Sequence, residues 1–161
     1  MVNMLSIDIN GWNVGIKFSS SHLIPLHEKC GRIHGHTYAI HARFHGKPND
    51  EGILYDFNLV KKILKSIADE LDHKMLIPTK NKFIILNLKD EVEMKIDKKR
   101  YIIPKEDSVL LPIKSTTAEE LAYWVLTQFL ERCKLPNNIN EIEIGVDESI
   151  GQGSWVKKKI R

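Results

Sequence analysis

Long apolar runs are absent. Nowhere in the 161 residues do about 18 apolar side chains follow one another, so no helix is expected to cross a membrane. The stretch Met1 to Asn13 has neither a basic start nor an apolar centre, which argues against a secretory signal. Cysteine is scarce, at two residues. Two thiols cannot build a disulfide framework, so a cytoplasmic protein with reduced thiols is expected. Charge of one sign is lacking too: 24 Lys and Arg stand against 21 Asp and Glu, a formal +3. That balance is too even for a dedicated nucleic-acid binder, and the basic residues form no block. The Lys-rich end, Lys157 to Arg161, reads as a charged tail. No internal repeat or low-complexity segment stands out. What is present, 42% hydrophobic and 28% charged residues, is the composition of one globular domain over residues 1–161, long enough to bury its own core.

Local patterning places the elements. Val14, Ile16, Phe18, Ser20 and His22 share one parity, which predicts a strand with one buried face. Tyr38, Ile40, Ala42 and Phe44 alternate with Thr37, His41, Arg43 and His45, predicting a second strand whose His41 and His45 face outward. Asp56 is a plausible N-cap for a helix carrying Phe57, Val60, Ile63, Leu64, Ile67 and Leu71 at helical spacing. Residues 80–113 read as short strands, with Val92, Met94 and Ile96 alternating, a turn at Asp97 to Lys99 and a return over Tyr101 to Ile103. A second helix is expected near Thr116, where Thr116 with Glu119 or Thr117 with Glu120 has capping-box spacing. Leu121, Trp124, Val125 and Phe129 form its stripe. Asn140 to Glu148 closes the pattern as a strand. Together these predict an α+β fold with a mainly antiparallel sheet.

Three of the seven histidines are placed like metal ligands. His34 and His36 lie two apart, so an extended chain puts both on one face, and the same parity runs on into Tyr38 and Ile40. His22 continues the apolar parity of its own strand. If the two strands pair, the three imidazoles converge, and neutral imidazole suits Zn²⁺ with a fourth position left open. Cys30, four residues before His34, admits three readings: a fourth ligand, a reactive thiol, or a small core residue. Cys133 extends the stripe of the second helix and reads as core. Asp72-His73 is either a histidine at a helix C-terminus or an acid–base unit, and the latter requires the helix to have ended. Glu148 shares the parity of Ile142, Ile144 and Val146. It either lies past the sheet or grips two adjacent N–H donors.

In order, the chain presents Phe18-Ser-Ser-Ser-His22, Cys30-x-x-x-His34-Gly-His36, Tyr55-Asp56-Phe57, Leu71-Asp72-His73, Thr116-Thr117-x-Glu119-x-Leu121-Ala122 and Asp147-Glu148. This set resembles the 6-pyruvoyl-tetrahydropterin synthase family, and the short Cys-to-His spacing resembles its 6-carboxy-tetrahydropterin synthase branch. The resemblance implies the tunnelling fold: a four-stranded antiparallel sheet with two helices on one face, assembled into a homo-oligomeric barrel (hexamer or tetramer) with interfacial active sites. It implies zinc on His22, His34 and His36, Cys30 as catalytic thiol working with Asp72 and His73, and Glu148, with Thr117 nearby, as pterin-binding residues. The implied reaction is a lyase step on 7,8-dihydroneopterin triphosphate, giving 6-carboxy-tetrahydropterin, acetaldehyde and triphosphate on the way to queuosine or archaeosine. No direct contact with nucleic acid or membrane is implied. The rivals are the pyruvoyl-forming reaction, a zinc hydrolase, and a non-catalytic zinc- or pterin-binding assembly protein. Residues 80–113 depart from the family as a β-rich insertion, and Thr116-Thr117 replaces its usual Pro-Thr.

Overall fold

The computed structural model describes residues 4–161, so the first three residues of the Met1–Asn13 stretch lie outside the description. In chain order the elements are β1 (Leu5–Ile9), a one-turn α1 (Gly11–Val14), β2 (Lys17–His22), β3 (His34–Gly46), α2 (Phe57–Leu71), β4 (Lys74–Pro78), β5 (Ile85–Leu88), β6 (Val92–Ile96), β7 (Lys99–Ile103), β8 (Ser108–Leu111), α3 (Ala118–Arg132), β9 (Ile139–Ser149) and β10 (Gln152–Lys159).

β3 is the axis of the molecule. β1 and β2 pair along one of its edges, one after the other, and β9 pairs along the opposite edge, all antiparallel. β10 lies beyond β9. This antiparallel unit is the expected four-stranded sheet, with its first strand interrupted by α1. Two parallel strands, β4 and β8, extend it past β2 to seven strands. Phe18, Tyr38, Ile40, Ala42, Phe44, Ile142, Ile144 and Val146 face α2 and α3 in one core. From α2 that core takes Val60, Ile63, Leu64, Ile67, Ala68 and Leu71. Each large side chain buried this way contributes about 1.5–3 kcal/mol. Asp56 caps α2 as expected, its side chain accepting from the Asn58 N–H at 2.8 Å.

Four local expectations are corrected. Val14 belongs to α1 rather than to the following strand. Phe57 is about half exposed and stands outside the stripe of α2. No side chain caps α3 at Thr117; the Glu120 carboxylate instead accepts from the Lys114 N–H. The C-terminal lysines are no tail, because they form the edge strand β10, where Lys157 reaches Glu141 at 3.2 Å. Charged side chains of this kind protect an edge against further pairing.

Within residues 80–113, β5, β6 and β7 form a separate three-stranded antiparallel sheet, turning at Asp97, whose φ is 52°. Its inner face, Val92, Met94 and Ile96, packs with Leu23, Met75 and Ile77 in a second small core. The segment thus rests beside the end of β2, and its last strand, β8, returns to the main sheet.

Candidate active site

Pairing of β2 with β3 sets His22 opposite His34 and Ser20 opposite His36. The parity read from sequence thus brings three imidazoles together, with ring centroids 4.5 Å (His22–His34), 5.1 Å (His22–His36) and 5.1 Å (His34–His36) apart. One nitrogen from each lies within 4.8 Å of the others. Gly35 between them eases the close approach of the strands, since a Cβ there would stand only 3.0 Å from the Ser20 carbonyl oxygen.

Second-layer contacts set the tautomers. The His22 Nδ1 lies 2.9 Å from the Thr116 carbonyl, and the His34 Nδ1 lies 2.8 Å from the Arg32 carbonyl. A carbonyl can only accept, so both Nδ1 atoms carry the proton and both Nε2 atoms keep a free lone pair. The His22 Nε2 is buried without a partner. Burial, with the neighbouring His34 and His36, holds the His22 pKa down to about 4, so that ring is neutral at ordinary pH. A buried, unprotonated, unpartnered nitrogen facing two further imidazoles is a donor set that fits a metal cation.

A cavity of about 820 Å³ opens in front of this cluster. Cys30, His34, His36, Thr117 and Glu148 line it. Cys30 is half-buried in a loop closed at its base by the Ile24 N–H donating to the Cys30 carbonyl at 2.7 Å. The Cys30 N–H donates to His27 Nδ1 at 3.1 Å. The Lys99 ammonium, from the first residue of β7, donates to the Gly31 carbonyl at 3.2 Å. Glu148, at the end of β9, is half-buried rather than sunk in the core.

Asp72 and His73 occupy a different place. α2 ends at Leu71, Asp72 is extended, and His73 adopts a left-handed backbone with φ 57°. Such a conformation costs a non-glycine residue about 1–3 kcal/mol, and such residues cluster at functional sites. It satisfies the condition that the helix has ended: the two adjacent side chains meet, with Asp72 Oδ2 2.8 Å from His73 Nδ1. The other Asp72 oxygen accepts from the Ser19 N–H at 2.7 Å, and the His73 N–H donates to the Ser19 carbonyl at 2.7 Å. The Ser19 N–H, followed by His73, holds the Asp72 carboxyl below its usual range. His73 lines a second groove of about 680 Å³ with Ser19, Ser21, His36, Lys74 and Asp107. Neither Cys30 nor Glu148 lines that groove, so one chain does not bring the thiol and the Asp72–His73 pair into one cavity.

Three contributors escaped the sequence reading. Thr116 is fully buried and orients His22 through its carbonyl, although its spacing to Glu119 pointed only to a helix cap. His27 orders the Cys30 loop, its Nδ1 accepting from the Cys30 N–H and its carbonyl from the Gly31 N–H. Tyr38, read as plain core, is buried with its hydroxyl unpartnered, its ring centroid 5.5 Å from that of His36. Burial and the nearby Glu148 carboxylate push its phenol well above its ordinary range.

Known proteins share this architecture. Residues 13–159 match the family described as PTPS, 6-pyruvoyl tetrahydropterin synthase. A Methanocaldococcus jannaschii protein provisionally named 6-carboxy-5,6,7,8-tetrahydropterin synthase is 40% identical over 158 residues, covering 96% of this chain and 97% of that one. A Pyrococcus abyssi protein of the same provisional name is 30% identical over 139 residues, covering 82% of this chain and 80% of that one. Among solved structures, the 6-pyruvoyl tetrahydropterin synthase of Plasmodium falciparum superposes with a TM-score of 0.90 at 26% identity, covering 98% of this chain and 99% of that one. With sequence, fold and extent agreeing along nearly the whole chain, the protein belongs to the 6-pyruvoyl tetrahydropterin synthase family.

Proposed function

We propose that the protein is a zinc-dependent lyase. It converts 7,8-dihydroneopterin triphosphate and water to 6-carboxy-5,6,7,8-tetrahydropterin, acetaldehyde and triphosphate, a step toward the deazapurine nucleosides queuosine or archaeosine. The observation that carries this reading is the cluster of three metal-type imidazoles, of which His34 and His36 share one cavity with a thiol and a carboxylate. His22, His34 and His36 hold the ion. Zinc bound there supplies Lewis-acid polarisation of the substrate's side-chain oxygens. Glu148 accepts from adjacent N–H donors of the pterin ring and fixes its orientation, with Thr117 beside it. Cys30, as thiolate, takes a proton from the substrate side chain. His73 Nδ1 is held by Asp72, which leaves Nε2 free to deliver or receive a proton.

Because Cys30 and His73 line different cavities, the Asp72–His73 pair serves the thiol of a neighbouring copy. The working site is therefore interfacial and the protein a cytoplasmic homo-oligomer. The described residues contain no helix long and apolar enough to cross a membrane. The test is to incubate the zinc-loaded protein with dihydroneopterin triphosphate and identify products by mass spectrometry. Acetaldehyde with a 6-carboxy pterin is expected. A pyruvoyl pterin would move the assignment to the sister reaction, and no turnover at full zinc loading would remove both.

A further inference from the structure

Tyr38 has no part in the chemistry above, yet its placement calls for one. The side chain is fully buried, and its hydroxyl has no hydrogen-bond partner. A buried unpaired hydroxyl is destabilising, and phenylalanine at the same place would avoid that cost. The ring itself is accounted for, since it stacks on Phe18 with centroids 4.7 Å apart and planes 7° from parallel. The oxygen is not.

Its neighbours indicate what the hydroxyl is for. Along β3, Tyr38 is the next inward residue after His36, and its ring lies edge-on to both His36 at 5.5 Å and His22 at 6.0 Å. Across the sheet, Ala39 pairs with Asp147, the residue before Glu148, and the Glu148 carboxylate lies near enough to the phenol to act on it by its charge. Tyr38 therefore sits between the histidine cluster and the carboxylate at the cavity wall. A phenol can donate, and an ionised carboxylate can only accept.

We propose that Tyr38 is a positioning residue for Glu148: with a pterin ring in the cavity, the phenolic O–H donates to the Glu148 carboxylate and holds it against the ring's N–H donors. The proposal rests on the reading of Glu148 as the ring anchor. In the free protein the donor is unsatisfied. Ligand binding brings the carboxylate into place and pairs it, so the hydroxyl contributes to affinity rather than to folding.

The test titrates the zinc-loaded, full-length protein with pterin (2-amino-4-oxopteridine), following quenching of its fluorescence. Wild type, Tyr38→Phe, Glu148→Ala and the double variant are compared. Tyr38→Phe is expected to weaken pterin binding about tenfold, the scale of a hydrogen bond to a charged group. Zinc stoichiometry stays unchanged, and the ligand-free melting temperature is equal or higher. In the Glu148→Ala background the same change costs nothing further. Unaltered affinity in Tyr38→Phe overturns the proposal. An equal loss in both backgrounds also overturns it, because the hydroxyl then acts without Glu148. A parallel fall in affinity and melting temperature overturns it in favour of a packing role. If Glu148→Ala binds pterin like wild type, the anchor reading fails and this proposal with it. If Glu148→Ala weakens binding and Tyr38→Phe does not, only this proposal fails.

Discussion

Two clusters of potential ligands form where strand β3 meets its neighbours, one toward each end. His22, His34 and His36 form the first, and His45, Glu141 and Glu143 the second; in each, three ligand-type atoms lie within 4.8 Å of one another. Their environments differ. In the first, backbone carbonyls fix the protons of His22 and His34 on Nδ1, and the His22 Nε2 is buried with no partner. In the second, every group already has one. His45 Nε2 lies 2.5 Å from Glu143, Lys157 lies 3.2 Å from Glu141, and Arg43 lies 3.8 Å from Glu143. A cation approaching the first cluster meets free lone pairs. At the second it must displace cations the chain supplies itself. Proximity of donors is thus a poor guide to a metal site, and unsatisfied lone pairs in a buried place are a better one.

The largest effect expected of that contrast is on the first cluster. His22→Ala should abolish zinc binding, read as metal content after dialysis. Turnover should fall by about a thousandfold, the loss of several kcal/mol of Lewis-acid stabilisation. A variant that keeps a full equivalent of zinc would show that His22 is only a core residue.

The next effect compares the two cavities instead of the two clusters. Cys30→Ala and His73→Ala should each lose turnover by about 10²–10⁴-fold, as for an acid–base group, while keeping zinc. Co-expressed, the two inactive variants should recover about a quarter of wild-type activity, because random assembly leaves that share of interfacial sites with both native groups. No recovery would mean that the thiol and the imidazole act within one chain, against their separate cavities.

Acidity tests the same contrast through stability. His22 titrates near 6.5 in an unfolded chain and near 4 in the folded one. Between those values the unfolded chain binds a proton that the native chain does not, so metal-free protein should lose stability as pH falls from about 6.5 to 4. The bound on the loss is about 3 kcal/mol. Urea midpoints at pH 7 and pH 4.5 measure it, and His22→Asn should flatten the difference. An undiminished acid slope in that variant would place its source elsewhere.

Period-2 patterning made much of this legible. Tyr38, Ile40, Ala42 and Phe44 fixed the inner face of β3, and the same parity carried His34 and His36 to the correct side. The helical stripe of α2 was equally plain apart from Phe57. What could not be read depended on contacts distant in the chain. His41 has the parity of an outward residue, yet it is buried. Its Nδ1 accepts from the Gly11 N–H at 3.0 Å, Asp147 lies 3.1 Å from its Nε2, and Trp155 of β10 stacks over it. Local sequence could not show that a Lys-rich end would form the strand that covers this face. Nor could it show that the Thr116 carbonyl, 94 residues away, would orient His22. The left-handed backbone of His73 belongs to the same class, because tertiary contact with Ser19 holds it.

The smallest effect belongs to the second cluster, and it is the sharpest control on the first. His45 is partly exposed, and its carboxylate partners keep Lys157 and Arg43 when it is removed. A partly exposed pair of this kind is worth less than about 1 kcal/mol. His45→Ala should therefore shift the urea midpoint only slightly and leave both zinc content and turnover at wild-type levels. The two clusters differ in which lone pairs are free, so equal consequences from His22→Ala and His45→Ala would undo the distinction between them. A loss of one zinc equivalent in His45→Ala alone would show that Lys157 and Arg43 swing aside to admit an ion. It would also show that a salt-bridged surface cluster outcompetes three clustered imidazoles, contrary to the preference of zinc for nitrogen donors.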